Sequence, residues 1–130
     1  MAEDMIDRID HLVLTVRSVD ATCDFYGRAL GFRRVDMPGK PTALMFGGAK
    51  INVHALDHGF EPKAAHPTPG SGDFCLVTRV ELAQVEERLR SAGVAIEEGP
   101  VARHGARGAM MSLYFRDPDA NLVEVSRYDD

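Results

Sequence analysis

The amino-acid sequence predicts an α+β fold in which two tandem βαβββ units form one cup-shaped, mostly antiparallel sheet. The same order of predicted elements occurs in each half of the chain, and a glycine follows each predicted helix. Landmarks in the two halves share one spacing: Asp73 lies 62 residues after His11, and Gly93 lies 62 residues after Gly31. An internal repeat constrains the fold strongly, because stacked units bury a continuous core.

The first predicted strand covers residues 9–16, where aliphatic and β-branched residues dominate. Side chains alternate between the two faces of a strand. Leu12, Leu14 and Val16 are therefore expected to face the core. His11 is expected to lie on the opposite face.

The rest of the first half predicts one helix and three strands. Phe25 and Tyr26 belong to an apolar stripe at helical spacing, and Gly31 is a typical helix-ending residue. Gly47 and Gly48 predict a tight turn between the last two strands. The expected elements are a helix over residues 21–29 and strands over residues 32–35, 42–46 and 50–56.

Proline and glycine are frequent in residues 57–72, which are expected to form a linker or an ordered loop. The pattern then restarts, with a helix over residues 81–92 and strands over residues 73–78, 94–97, 110–115 and 121–126. Residues 99–108 are expected to form a loop in which Arg103 and Arg107 either bind an anionic substrate or remain solvated. The units span about 5–56 and 73–128 of a single domain, residues 1–130.

Composition excludes several classes of protein. The 130 residues are 45% hydrophobic with a formal net charge of −5, which is ordinary for a globular domain and argues against a nucleic-acid partner. No apolar run is long enough to span a membrane, and no signal peptide is visible. The cysteines, Cys23 and Cys75, lie in apolar segments and are expected to be buried free thiols of a cytoplasmic protein.

A few polar residues interrupt otherwise apolar strands. His11 and Asp73 lie at matching positions of the two units, His54 lies near the end of the last strand of the first unit, and Glu124 lies between two valines. Burying an unpaired carboxylate is costly, and a metal ion or a basic partner such as Arg116 or Arg127 would offset that cost. Imidazole and carboxylate are the ligand types of a divalent metal with open positions.

Three stretches resemble the vicinal oxygen chelate superfamily of glyoxalases, bleomycin-resistance proteins and extradiol dioxygenases. They are residues 9–16 (IDHLVLTV), 25–32 (FYGRALGF) and 114–124 (YFRDPDANLVE). Residues 60–70 (FEPKAAHPTPG) resemble the subgroup called glyoxalase domain-containing proteins. With the repeated units, the resemblance covers almost the whole chain and implies the glyoxalase-like fold.

The resemblance implies one divalent metal in the cup, with open positions for adjacent substrate oxygens. His11 matches the family's first-strand histidine, and Glu124 matches its last-strand glutamate, which serves as a ligand or a catalytic base. Asp73 stands where some branches have a second histidine. Asn52 and His54 share a strand face, and either one fits the remaining ligand position, on the last strand of the first unit. The ion would be iron, zinc, nickel, manganese or cobalt.

The expected function is that of a metal-dependent lyase, isomerase or dioxygenase acting on a small substrate with adjacent oxygens. The alternative is a metal-free protein of the same fold that binds a small molecule or confers resistance. The family commonly dimerises, so a homodimer is expected. The linker permits the two units to pair within one chain or between two chains.

Overall fold

The computed structural model describes residues 4–129, which form eight strands and two helices in two groups of five. The first group is β1 (His11–Val16), α1 (Val19–Leu30), β2 (Arg33–Val35), β3 (Thr42–Phe46) and β4 (Ala49–Ala55). The second group is β5 (Asp73–Val77), α2 (Leu82–Ser91), β6 (Ile96–Gly105), β7 (Gly108–Arg116) and β8 (Leu122–Tyr128). The predicted order of elements is confirmed in both halves.

Each group forms one four-stranded sheet. The strand order is β1-β4-β3-β2 in the first sheet and β5-β8-β7-β6 in the second. The first and last strands of each unit pair in parallel, and the other neighbours are antiparallel. The predicted α+β class with mostly antiparallel pairing is confirmed. The two sheets have the same topology because the two units have the same sequence of elements.

The helices begin and end where the sequence supplies terminal signals. The Ser18 hydroxyl accepts a hydrogen bond from the backbone N–H of Ala21 at 3.0 Å, which satisfies a donor in the first turn of α1. Gly31 and Gly93 follow the helices with φ of 75° and 76°, a conformation that costs glycine little. Within residues 4–129, neither helix is long and apolar enough to cross a membrane.

The helix-facing sides of the two sheets contribute to one hydrophobic core. As predicted, Leu14 and Val16 of β1 are buried, whereas Val13 on the opposite face is 47% exposed. The second unit adds fully buried apolar side chains from β7 and β8 to the same cluster, including Phe115 and Val123. The helices pack among these residues, which leaves the other face of each sheet free of helices.

A buried carboxylate ties the two units together. The Tyr26 hydroxyl of α1 donates a 2.7 Å hydrogen bond to Asp117 Oδ2, and Asn121 Nδ2 donates to the same oxygen at 2.9 Å. The other oxygen, Oδ1, accepts the backbone N–H groups of Asp119 and Asn121 at 3.0 Å. Burial and the nearby Asp117 raise the pKa of Tyr26, so its hydroxyl keeps its proton. Aspartate and proline are residues that turns favour, and these contacts give Asp117 a structural role in the turn between β7 and β8.

The prediction that residues 99–108 form a loop is wrong. Strand β6 extends to Gly105 and pairs with β7, with Arg103 opposite Met110 and only a short turn before Gly108. The glycine and proline at positions 99 and 100 lie where the β6–β7 register shifts, between Glu98 and Val101. These residues interrupt a strand with an irregularity, which local sequence signals do not distinguish from a loop.

The prediction that both cysteines are buried is correct for Cys23 and wrong for Cys75. Both thiols are free, and Cys23 is buried in the core, but Cys75 is exposed. Cys75 alternates with Phe74 and Leu76, which pack toward the core, so its side chain lies on the opposite face of β5.

We expect Tyr26→Phe to destabilise the fold by about 1–3 kcal/mol, because Asp117 Oδ2 would lose a buried donor while remaining desolvated. Urea unfolding monitored by circular dichroism measures the change. Tyr128→Phe is the matched control, because the Tyr128 hydroxyl accepts a backbone N–H from Arg107 and lies in a less buried position. Equal losses in the two variants would contradict the special role of the Tyr26 bond.

Candidate functional site

Each sheet has an open face, defined as the side opposite its helix. On the first sheet, the strand pairing places His11 opposite Lys50, Val13 opposite Asn52, and Thr15 opposite His54. Paired residues share a face, so these six side chains form the β1–β4 part of the first open face. It contains three of the candidate ligands that the sequence suggests.

His11 is oriented by the residue before it in the chain. Its Nδ1 lies 2.9 Å from Asp10 Oδ1, and because a carboxylate only accepts hydrogen bonds, Nδ1 is the donor. This hydrogen bond is the main reason why the pKa of Asp10 is lowered. The neutral His11 ring then has its lone pair on Nε2, the arrangement that suits a metal-binding or proton-accepting imidazole.

Asn52 and His54 are buried, with 8% and 7% of their surfaces exposed. The His54 ring lies 5.3 Å from the ring of Phe60, and burial lowers the pKa of His54, so its imidazole is neutral near pH 7. Asn52 Oδ1 is buried without a hydrogen-bond partner among the described residues. A buried amide oxygen without a donor is costly, which makes Asn52 a candidate binding group.

Glu124 lies on the second open face within a polar network. Ser126 Oγ donates to Glu124 Oε2 at 3.1 Å, and Tyr114 lies directly opposite Glu124 in the β7–β8 pairing. Burial raises the pKa of Tyr114, the hydrogen bond from Arg103 lowers it, and the Glu124 charge and hydrogen bond raise it. The basic partners that the sequence suggests are used elsewhere: Arg116 binds Glu97, and Arg127 binds Glu81.

Arg103 contributes to this network through Tyr114. Its Nε donates to the Tyr114 hydroxyl at 2.9 Å, and its Nη2 donates to Glu98 Oε2 at 3.0 Å. The guanidinium carbon lies 5.4 Å from the centre of the Tyr114 ring. Arg103 therefore lies on a strand, with Glu98 balancing its charge, and not in the loop that the sequence predicts.

Two other candidates lie at the margins of this face. Asp73 begins β5 in an exposed position. The hydrogen bond to Glu97 is the main reason why the pKa of Arg116 is raised, and the Asp73 charge raises it further. Arg107 lies on the turn between β6 and β7, with its guanidinium carbon 4.3 Å from the centre of the Tyr128 ring. Tyr114 lies six residues beyond Gly108, about 20 Å along β7, so the structure does not bring Arg107 to Glu124.

Sequence reasoning missed several residues of this network. Ser126, Tyr114 and Ser112 alternate with core residues on β7 and β8, so strand periodicity would have placed them on the face of Glu124. Their residue types are ordinary in strands, and no motif marks them. Asp10 was likewise not singled out beside His11.

The candidate donors suit a divalent metal chemically, but one chain does not bring enough of them together. Within residues 4–129, no group of three His, Cys, Asp or Glu side chains is arranged to hold a metal. His11 and His54 are offset by four residues along β1, about 13 Å, and Glu124 lies on the other sheet. The three predicted ligands therefore do not converge within one chain.

Comparison with known proteins identifies relatives over nearly the full chain. The virulence protein STM3117 of Salmonella typhimurium is 51% identical over 124 residues, covering 95% of this chain and 86% of that protein. Its crystal structure matches with a TM-score of 0.92, covering 96% of this chain and 99% of that one. The glyoxalase domain-containing protein RDO1 of Mycosarcoma maydis is 47% identical, covering 94% of this chain and 69% of that protein.

Two more distant structures share the fold. A lactoylglutathione lyase from Agrobacterium tumefaciens matches with a TM-score of 0.73 at 23% identity, covering 95% of this chain and 96% of that one. TnmS3, an antibiotic-binding protein from Streptomyces sp. CB03234, matches with a TM-score of 0.73 at 21% identity, covering 96% and 98%. The family model described as the Glyoxalase/Bleomycin resistance protein/Dioxygenase superfamily matches residues 8–125. This chain, with its repeated βαβββ units, therefore belongs to that superfamily.

Proposed function

We propose that this chain is a metal-dependent enzyme whose site forms between two copies of the chain and acts on a small substrate with adjacent oxygens. The observation that carries the proposal is that each open face presents one pair of polar side chains at equivalent positions. The pair on the first sheet is His11 and Asn52, and the pair on the second is Asp73 and Glu124.

The equivalence follows from the register of the two sheets. His11 is the first residue of β1, and Asn52 lies two residues beyond its partner on β4. Asp73 is the first residue of β5, and Glu124 lies two residues beyond its partner on β8. Such diagonal neighbours lie about 7–8 Å apart, a distance that side chains can span. The same register favours Asn52 over His54 as the partner of His11.

A second copy of the chain supplies the convergence that one chain lacks. A twofold axis that places the first open face of one protomer against the second open face of its partner forms two identical sites. Each site then contains His11 and Asn52 from one protomer with Asp73 and Glu124 from the other. Val13 and Val77, which are 47% and 60% exposed on these faces, would be covered by the same contact.

His11, Glu124 and one or both of Asp73 and Asn52 would hold the ion. A bound divalent metal would polarise two adjacent substrate oxygens and stabilise negative charge on them. The residues themselves have separable roles. Asp10 keeps the His11 Nε2 lone pair available, and Glu124 is a carboxylate able to accept a proton from a bound substrate.

A lyase or isomerase is favoured over an extradiol-type dioxygenase. The proposed ligands include one histidine, and the others are carboxylate and amide oxygens. Asp73 stands where a two-histidine oxygenase site would need a second imidazole. The shared fold with a lactoylglutathione lyase is consistent with this choice.

The second candidate is a metal-free protein that binds a small molecule between the two faces. The favouring observation is that Glu124 already has a hydrogen-bond donor in Ser126, so its carboxylate is satisfied without a metal. The antibiotic-binding protein TnmS3 shows that the fold supports binding as a function. Metal titration separates the two candidates.

We expect the purified dimer, stripped of metal, to bind one of Ni²⁺, Zn²⁺, Fe²⁺, Mn²⁺ or Co²⁺ at each site in calorimetric titrations. His11→Ala and Glu124→Gln should each weaken that affinity by more than about a hundredfold, a larger effect than is typical of residues that only support a ligand. His66→Ala, at an exposed loop histidine, is the matched control and should bind normally. Unchanged affinity in the first two variants would exclude the metal site.

Mixing two inactive variants tests whether the site is shared between chains. When His11→Ala and Glu124→Gln chains are unfolded together and refolded, half of the dimers are mixed. Each mixed dimer contains one site with both native residues, so about a quarter of the wild-type metal capacity should return. No recovery would show that both ligands come from one chain. Light scattering of the same samples should give the mass of a dimer.

A further inference from the structure

A buried pair of serine hydroxyls lies beside Glu124. Ser112 of β7 and Ser126 of β8 are opposite each other in the strand pairing, and both residues are 0% exposed. Their Oγ atoms are 2.6 Å apart. Ser126 Oγ is also 3.1 Å from Cys75 Sγ and 3.1 Å from Glu124 Oε2. The Ser126 hydroxyl is therefore the centre of a cluster of four polar side chains, its own and those of Ser112, Cys75 and Glu124.

The chemistry of these groups determines the direction of each hydrogen bond. A carboxylate only accepts, so the single Ser126 proton is donated to Glu124. Ser126 then has no proton for its other neighbours, so the Ser112 hydroxyl donates to it at 2.6 Å, and the Cys75 thiol is the donor in their 3.1 Å contact, which is shorter than its 3.9 Å contact with the backbone oxygen of Leu76. All the hydrogen-bonding capacity of Ser126 is used in this arrangement, so its proton has no competing acceptor within the cluster.

Glu124 is oriented by this contact together with its hydrogen bond to Tyr114, which lies opposite it in the strand pairing. Its side chain has three rotatable bonds, and among the described residues it makes no ion pair that would hold it in place. The Ser126 hydroxyl lies two residues along the same strand and is itself immobilised by burial. A donor fixed in this way restricts the carboxylate to rotamers that keep Oε2 within reach.

We propose that Ser126, with its proton directed by Ser112 and Cys75, is a positioning residue that holds the Glu124 carboxylate in its binding orientation. The assignment rests on the proposed function only in that Glu124 is the group being positioned. Ser126 acts through Glu124 and does not itself contact a metal or a substrate. Groups that orient a ligand in this way commonly change affinity by tenfold or more when they are removed.

The test uses Co²⁺ as the probe, because its visible absorption reports the geometry of its ligands. Ser126→Ala should weaken Co²⁺ binding to the dimer by about tenfold and change the absorption spectrum. Ser126→Cys keeps a weak donor of similar size and should lie between wild type and Ser126→Ala. Thr22→Val is the matched control, because Thr22 Oγ1 is a buried hydroxyl without a described partner, and it should bind Co²⁺ normally.

Crystal structures of the wild type and Ser126→Ala provide a readout that needs no metal. The Glu124 carboxylate should leave its wild-type rotamer or divide between rotamers in the variant. If Ser126→Ala does not fold, Ser126→Cys supports the same comparison. An unmoved carboxylate with unchanged Co²⁺ affinity would overturn the proposal. Failure of the wild type to bind Co²⁺ would count against the proposed function, and the crystal comparison would still decide the role of Ser126.

Discussion

The burial of both helix-facing sheet surfaces in one core determines which surfaces of this molecule remain available for binding. Leu14 and Val16 from one unit and Phe115 and Val123 from the other belong to the same apolar cluster, so the two sheets contact through their helix sides. Burial of such surfaces is the dominant favourable term in folding. Because that surface is committed to the core, the open faces are the sheet surfaces left for binding chemistry, and the described part of one chain does not bring three candidate metal ligands together on them.

The polar groups on the two open faces differ in how completely they are satisfied. Glu124 has a buried donor in Ser126, and Asp10 fixes the tautomer of His11. Asn52 Oδ1, in contrast, is buried with no partner among the described residues. A fold tolerates such a group at a cost of about 1–3 kcal/mol, and it does so most often where a ligand or water supplies the missing bond. The amide oxygen that lacks a partner therefore lies beside His11, in the region where the proposal places the binding site.

Strand periodicity and the repeat predicted most of the fold, because both are local or nearly local signals. The alternation in β1 correctly separated Leu14 from Val13, and the glycines at 31 and 93 correctly ended the helices. Register is a tertiary property, so sequence alone left Asn52 and His54 as alternatives. The pairing of Val13 with Asn52 is the tertiary information on which the proposed choice of Asn52 rests. The full length of β6 was also not predicted, because a strand bulge and a loop favour the same residue types, here Gly99 and Pro100.

Charge gives a further reason why unlike faces should meet. The first open face offers a histidine and an amide, whereas the second offers the two carboxylates of Asp73 and Glu124. A twofold contact between two copies of the second face would bring four carboxylates together, and like charges at short range repel strongly once water is excluded. Pairing the first face with the second places imidazole and amide groups against carboxylates in both sites. The divergence of the two repeats from each other thus disfavours the symmetric alternative and supports the proposed arrangement, in which each site would be shared by two chains.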